Sequence, residues 1–230
     1  MRVKRNLLLA VILAGFAAAT RNVGIFLIVP LMSEWIKGGG IKQGREKWHG
    51  LYLALAPSGL IIYMGYLWVR FGDPLLFYSS QKNWGREATG PLAAATRAWD
   101  LAIEDARILR DPALWTDPSV RSLADNLGGA NCFFNLAFFV FAVVVLLAGL
   151  RELPLSLTIY GFLIIAPAVL FGTPEDPLFG APRYVLMAFP IFIVLGLLSR
   201  NKLLFAGWLI LSTIVSAILC GLFVSWRFVA

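Results

Sequence analysis

Two long stretches without a charged residue, at 133–150 and 203–224, limit what this chain can fold into. A helix of about 20 residues crosses a hydrocarbon core of about 30 Å, and both stretches come close to that length. Of the 230 residues, 59% are hydrophobic and only 14% are charged, whereas soluble domains carry roughly 25% charged residues. The sequence therefore predicts an all-α integral membrane protein, which is expected to contact membrane lipid along its apolar helices.

Further apolar stretches predict a polytopic helix bundle of about seven membrane segments, so the whole chain, 1–230, is interpreted as one transmembrane domain. The expected segments are residues 7–19, 23–36, 51–71, 133–150, 154–171, 183–198 and 203–224. The first two are too short to span comfortably, and a polar joint at 20–22 separates them. We expect a hairpin there, with one broken span and a cleaved signal peptide as alternatives.

The basic residues predict the orientation of the chain. They cluster before residue 7 and between residues 37 and 47, so both flanks of the first hairpin are expected in the cytoplasm, together with the N-terminus. Residues 72–130 then form an extracytoplasmic loop, where six Lys or Arg face eight Asp or Glu. The expected location is the plasma membrane of a prokaryote or the endoplasmic reticulum of a eukaryote.

The extracytoplasmic loop is expected to contain amphipathic helices. Gly90-Pro91 is typical of a helix start and Asp111-Pro112 of a helix end. Between them, apolar residues recur at helical spacing and predict one apolar face along the membrane surface. These residues are Leu92, Ala95, Trp99, Ala102, Ile103 and Ala106. A second short helix is expected between residues 117 and 128.

Several kinds of chemistry are disfavoured by residue type. The chain has one histidine, His49, far in sequence from any candidate nucleophile, so a Ser-His-Asp triad or a His-ligated metal is not expected. Cys132 and Cys220 lie in or beside apolar stretches and are interpreted as buried thiols. The basic residues flank apolar stretches and do not form a continuous basic face, so nucleic acid is not an expected partner.

Arg21 is the most informative single residue, because a guanidinium inside an apolar stretch costs roughly 2.5–3.5 kcal/mol. A phosphate or carboxylate partner would offset that cost. Alternatively, Arg21 extends to interfacial water. A second, short outer loop is expected at residues 172–182. Arg183 follows it and is open to three interpretations: a lipid-phosphate ligand, a headgroup anchor, or the partner of Glu175.

Residues 71–86 mix aromatic rings with amide, carboxylate and guanidinium groups. Such a mixture suits a sugar, whose C–H faces stack on rings while its hydroxyls need hydrogen-bond partners. An aromatic belt at the membrane surface has the same composition, so both interpretations stay open.

Five short motifs together resemble the PIG-V type of GPI mannosyltransferase and its prokaryotic relatives, which are GT-C glycosyltransferases. They are Ala18-Ala19-Thr20-Arg21-Asn22-Val23-Gly24, Gly72-Asp73-Pro74, Gln81-x-x-Trp84-x-Arg86, Pro182-Arg183-Tyr184 and Phe189-Pro190. The resemblance covers nearly all of this chain but only the later part of the family's pattern. It implies a GT-C-like fold and transfer of a sugar, with mannose favoured, from a polyprenyl or dolichyl phosphate donor on the extracytoplasmic face.

The resemblance also implies roles for individual residues. Arg21, Arg86 and Arg183 are expected to bind the donor phosphate, with Tyr184 beside them in the same motif, while Gln81 and Trp84 position the sugar or the loop. No cofactor is identified. Some GT-C enzymes use a divalent metal, but the sequence contains no ligand cluster that would require one.

One expected element of the family is missing from this sequence. Family members carry an acidic residue in a first outer loop, expected to act as general base, and nothing upstream of Leu7 could hold it. The catalytic base is therefore unassigned, with Asp73 a weak substitute. A separate chain carrying the first part of the enzyme is one expected partner; the alternative function is that of a non-catalytic membrane subunit partnering a separate glycosyltransferase chain.

Overall fold

The computed structural model describes residues 2–40, 47–88, 90–110 and 131–224. Within these ranges the chain is mostly helical, which confirms the all-α prediction. The α-helices are α1 (Arg2–Thr20), α2 (Ile28–Lys37), α3 (Ser58–Phe71), α4 (Leu76–Ser79), α5 (Pro91–Arg110), α6 (Asn131–Gly149), α7 (Leu155–Leu170), α8 (Ala181–Met187), α9 (Phe189–Leu198) and α10 (Lys202–Val224). Three 3₁₀ segments, Asn22–Leu27, Lys47–Leu55 and Ser80–Trp84, and two short strands, β1 (Glu87–Ala88) and β2 (Phe171–Gly172), complete the described elements.

The described helices contain one clear candidate for a membrane span. By length and composition, α6 could cross a membrane alone, and two bent helix pairs would raise the number to three if each is one span. The pairs are Trp48–Leu55 with α3, bent by 45°, and α8 with α9, bent by 71°. Three shorter apolar helices lie at Leu7–Thr20, Leu155–Leu170 and Phe205–Gly221. The bundle of about seven spans is therefore not confirmed.

Proline explains why two expected segments are not continuous helices. Pro57 immediately precedes α3, and Pro190 lies in the first turn of α9. Because proline has no N–H and its ring restricts the preceding residue, helices tend to end or bend before it. Segments 51–71 and 183–198 were expected to be single helices, and each is broken at its proline.

The chain divides into two compact units, and the expectation of one transmembrane domain stays a prediction. The first unit comprises Met1–Asn83 and Leu153–Ile164, and the second comprises Trp84–Glu152 and Ile165–Ala230.

In the first unit, the expected hairpin is present as a helical reversal at Arg21. The backbone of Arg21 is extended, and α1 packs against the 3₁₀ segment and α2 that follow. Gly24 allows the close approach, because a Cβ there would lie 2.5 Å from the carbonyl of Ala17. Buried Val11 and Ala14 pack with Leu27, Ile28 and Leu31 on the returning side, which is the apolar contact that holds the hairpin together.

In the second unit, α6 is the central helix, and α5, α8 and α9 pack against it. Helix α5 begins at Pro91, as expected, while the expected stop at Asp111-Pro112 lies outside the described residues. The two helices run antiparallel: Phe133 N–H donates to Asp105 Oδ2 at 3.1 Å at one end, and Ala98 shares a core cluster with Leu136 and Phe139 farther along.

Helix α5 packs through a stripe of small side chains, of which only Ala102 belongs to the apolar face expected along the membrane surface. Ala94, Ala98 and Ala102 are buried, whereas Leu92 is 81% and Trp99 57% exposed. Small side chains let the two backbones approach closely, so the alanine stripe faces the apolar core and the larger side chains do not. The second short helix expected at 117–128 lies outside the described residues.

Candidate functional site

The loop that connects α7 to α8 is held in a compact turn. Asp176 N–H donates to Thr173 Oγ1 at 2.9 Å, and Thr173 N–H donates back to the Asp176 carbonyl at 3.0 Å. Phe179 N–H donates to the same carbonyl at 3.2 Å. Asp176 and Phe179 therefore project from one hydrogen-bonded turn, whose first and last Cα atoms lie within about 7 Å.

A short strand pairing brings a distant part of the sequence to this loop. β1 and β2 pair antiparallel, with Glu87 opposite Gly172 and Ala88 opposite Phe171. Gly172 also lies against the backbone of Pro177, where a Cβ would overlap the carbonyl group. The pairing places Arg86, which immediately precedes β1, beside the turn that carries Phe179.

Two guanidinium groups meet on the ring of Phe179. Arg86 Cζ lies 4.7 Å from the ring centroid, and Arg183 Cζ lies 5.6 Å from it. Both distances fall within the range in which a cation is attracted by the negative face of an aromatic ring. Arg86 and Arg183 are therefore the two expected phosphate ligands that the structure brings together.

Gly180 makes room for the Arg183 side chain. Its φ is +77°, a left-handed conformation that glycine adopts at little cost. A Cβ at this position would lie 2.5 Å from Nη2 of Arg183, well inside contact distance. The backbone at Gly180 thus fixes where the guanidinium of Arg183 can lie.

Helix α5 holds the N-terminal part of this loop through a hydrogen bond to Pro174. The Nε of Arg97 donates to the carbonyl of Pro174 at 2.7 Å, a short bond whose donor is charged. Cys132, in the first turn of α6, donates to the carbonyl of Glu175 at 3.2 Å. The loop is therefore anchored to both helices through the carbonyls of Pro174 and Glu175, just before Asp176.

Asp176 is the least expected residue of the site. Its Oδ2 accepts a hydrogen bond from Asn135 Nδ2 at 2.7 Å, and Asn135 is only 2% exposed. Its Oδ1 is buried and has no hydrogen-bond partner in the part of the chain that the structure describes. Burial is the largest cause that raises the pKa of Asp176 to about 6, and the charge of Asp105 also raises it. The hydrogen bond from Asn135 and the nearby backbone N–H of Leu178 act in the opposite direction.

Asp105 lies nearby with a different set of contacts. It accepts the backbone N–H of Phe133, near the start of α6, where helices carry unpaired N–H groups and a partial positive charge. Burial is the largest cause of the raised pKa of Asp105, and its backbone hydrogen bonds lower it. Its contacts are those of a residue that caps a helix.

Two further expected site residues belong to the second unit. Tyr184, in α8, packs against the core cluster formed by Ala98, Ala168, Leu178 and Ala181, so part of its ring supports the fold. Trp84 ends the 3₁₀ segment before Arg86, and its side chain lies outside the described part of the structure.

The remaining expected residues belong to the first unit. Asp73 Oδ1 accepts the backbone N–H of Leu75 at 2.8 Å, and Oδ2 accepts the hydroxyl of Ser79 at 3.3 Å, which are contacts of a residue that stabilises a helix start. The amide of Gln81 donates to the carbonyl of Phe77 at 3.2 Å within its own turn. Arg21 is exposed at the helical reversal.

Sequence reasoning missed Asp176, Asn135 and Phe179 as site residues. Asn135 was a visible signal, because a buried amide in an apolar helix needs a polar partner. Within the residues that the structure describes, no group of three or more His, Cys, Asp or Glu side chains could hold a metal ion.

No protein-family model matches this chain, and no curated protein or solved structure shows significant similarity to it.

Proposed function

We propose that this chain is a membrane glycosyltransferase of the GT-C class, or part of one, that takes a sugar from a polyprenyl phosphate donor on the extracytoplasmic face. Mannose is the favoured sugar, because of the resemblance to the PIG-V type of mannosyltransferase. The observation that supports the proposal best is the meeting of Arg86 and Arg183 on Phe179.

Two guanidinium groups on one aromatic ring suit the chemistry of this transfer. The bond between sugar and phosphate breaks in the reaction, so negative charge develops on the departing polyprenyl phosphate. Arginine stabilises such charge through paired N–H donors in a planar array. Both cations contact the ring of Phe179, and the absence of a side chain at Gly180 leaves room for the guanidinium of Arg183.

The transfer can be tested with the purified chain in proteoliposomes made from extracted membrane lipids, which supply candidate acceptors. The substrate is polyprenyl phosphate mannose with a radiolabelled sugar, and the readouts are labelled product and released polyprenyl phosphate. Arg86→Ala and Arg183→Ala should each lower the rate by roughly 10²–10³-fold, the usual effect of removing one charge-stabilising donor. Arg200→Ala, which removes an exposed arginine in the turn before α10, is the matched control and should keep the wild-type rate.

The assay tests the phosphate site and the choice between the two candidate functions separately. Wild-type rates in both arginine variants would contradict the proposed phosphate site. A wild-type chain that releases no polyprenyl phosphate would favour the alternative, a non-catalytic subunit that works with a separate glycosyltransferase chain. The role expected for Arg21 is a separate prediction, for which Arg21→Ala in the same assay is the test.

The proposed location requires the loop at 173–180 and helix α5 to face away from the cytoplasm. Single cysteines can test this in a background where Cys132 and Cys220 are serine. Asp100→Cys on α5 should react with an impermeant thiol reagent added outside, and Arg200→Cys should react only after permeabilisation. The reverse labelling pattern would contradict the proposed topology.

A further inference from the structure

Asp176 combines two features that a purely structural carboxylate rarely has. One oxygen is oriented by a buried amide, through the 2.7 Å bond from Asn135. The other, Oδ1, is sealed from water and lacks a hydrogen-bond partner among the described residues. A buried acceptor without a donor is costly, and such groups in folded proteins call for an explanation, a catalytic role among them.

The carboxylate lies on the same turn as the proposed phosphate site. The carbonyl of Asp176 accepts the N–H of Phe179, and the ring of Phe179 contacts Arg86 and Arg183. Asp176 therefore lies three residues before the ring that Arg86, from the segment before β1, and Arg183, from α8, both contact. A sugar transfer needs an acidic group to accept a proton and cations to stabilise the leaving phosphate.

The surroundings keep this carboxylate basic. Burial is the largest influence on its pKa, and Asp105 on α5 adds a like charge. Among the described residues, three arginines and a thiol on neighbouring elements also contact the loop, which itself carries Glu175. Cys132 on α6 donates to the carbonyl of Glu175, and Arg97 on α5 donates to the carbonyl of Pro174. Arg86, before β1, and Arg183, on α8, contact the ring of Phe179. The resulting pKa of about 6 leaves Asp176 ionised at neutral pH and a much better proton acceptor than an ordinary carboxylate.

We propose that Asp176 is the general base of the transfer, an inference that rests on the proposed function. Oδ1 takes the proton of the acceptor hydroxyl while the acceptor oxygen forms a bond to the anomeric carbon of the sugar. The bond from that carbon to the phosphate oxygen breaks, and its electron pair leaves with the polyprenyl phosphate. Asp176 then passes its proton to water. Since Oδ1 is shielded from solvent, the proposed step requires a local opening that admits the acceptor hydroxyl, and bulk water is otherwise excluded. Asn135 is a positioning residue that fixes the direction of the carboxylate.

The test is Asp176→Asn in the proteoliposome transfer assay, with Asp100→Asn on the exposed side of α5 as the matched control. The substitution preserves shape, and its amide oxygen can still accept the Asn135 bond, so folding should survive. Because general base catalysis contributes about 10²–10⁴-fold, kcat should fall by at least about 100-fold while KM for polyprenyl phosphate mannose stays near the wild-type value. The control should keep the wild-type kcat.

The pH profile gives a second readout that a structural role would not change. In the wild type, kcat/KM should fall at acid pH with a midpoint near the pKa of Asp176, about 6. Asp105→Asn removes the like charge that raises this pKa, so the acid limb should move to lower pH.

The inference and the proposed function fail in distinguishable ways. If the wild type transfers sugar and Asp176→Asn retains a kcat within about threefold with the same acid limb, Asp176 is not the base and the transferase stands. A rise in KM with unchanged kcat would also overturn the inference. If neither the wild type nor any variant releases polyprenyl phosphate, the proposed function itself fails.

Discussion

Neutralising Asp176 should stabilise the folded chain at neutral pH. The folded-state pKa of this carboxyl is raised to about 6 from its ordinary 3.8, so the folded chain binds the proton more tightly than the unfolded chain does. The contribution of this carboxyl to the free energy of unfolding is therefore most favourable below pH 4. It falls as pH rises towards 6 and stays low above that. Asp176→Asn removes this penalty, because an amide carries no charge at any pH.

The size of the effect follows from the pKa difference. A tenfold difference in a protonation equilibrium corresponds to about 1.4 kcal/mol, so ionising Asp176 costs the folded state up to about 3 kcal/mol. The carboxyl is not completely buried, and screening by water reduces this to about 2 kcal/mol. For a chain of this length that corresponds to a rise in Tm of roughly 4–8 °C for Asp176→Asn at pH 8.

The measurement is thermal unfolding of the detergent-solubilised protein, followed by tryptophan fluorescence, at pH 4, 5, 6 and 8. The difference in Tm between Asp176→Asn and the wild type should be near zero at pH 4 and largest at pH 8. Asp100→Asn, an exposed carboxylate on α5, should show no such trend. A constant difference across this range, or a variant less stable than the wild type at pH 8, would refute the reasoning about burial.

Three further substitutions test the packing around the site. Phe179→Leu removes a ring that two cations share, each contact contributing about 0.5–1 kcal/mol, so KM for polyprenyl phosphate mannose should rise roughly tenfold; an unchanged KM would show that the ring does not position the cations. Gly180→Ala forces a side chain into a left-handed conformation, which costs about 1–2 kcal/mol, and should lower Tm. Gly196→Ala, where a Cβ meets open space, should leave Tm unchanged, and equal Tm values in the two variants would contradict the strain. Ala98→Leu overfills a core position and should cost about 1–3 kcal/mol, while exposed Ala95→Leu should change stability by less than about 0.5 kcal/mol; similar losses in both would mean that the buried face of α5 is assigned wrongly.

Local signals in the sequence were sufficient for several elements of the fold. The start of α5 follows from Gly90-Pro91, because proline suits the first helical position. The reversal at Arg21 follows from a polar joint between two short apolar stretches. These features depend on neighbouring residues, which a sequence pattern can report.

The orientation of α5 depends on its partner, which the sequence does not identify. The periodic pattern predicted an apolar face along the membrane surface that includes Leu92 and Trp99, and it did not identify the side that contacts another helix. In the structure, α6 packs against Ala98 and its small neighbours, because they permit close approach of the two helices. The prolines at 57 and 190 were visible, yet the long apolar stretches around them favoured continuous spans.

The candidate site could be predicted only in part for the same reason. Arg86 and Arg183 were expected to bind phosphate, but only the pairing of β1 with β2 brings them to one ring. Asp176 gave no signal in the sequence, because its unusual pKa arises from burial and from Asp105, which lies far away along the chain.

The energetics of Asp176 favour a functional explanation over a structural one. An asparagine at this position could keep the bond to Asn135 without a charge to bury, so a chain selected for stability alone would gain from the replacement. Pairing the carboxylate with a guanidinium would lower its pKa and make it a weaker base. Instead, burial is the strongest influence on its pKa, while both nearby arginines contact the ring of Phe179. The turn thus keeps a carboxylate with a raised pKa three residues from the ring that both arginines contact, at a cost in stability at neutral pH.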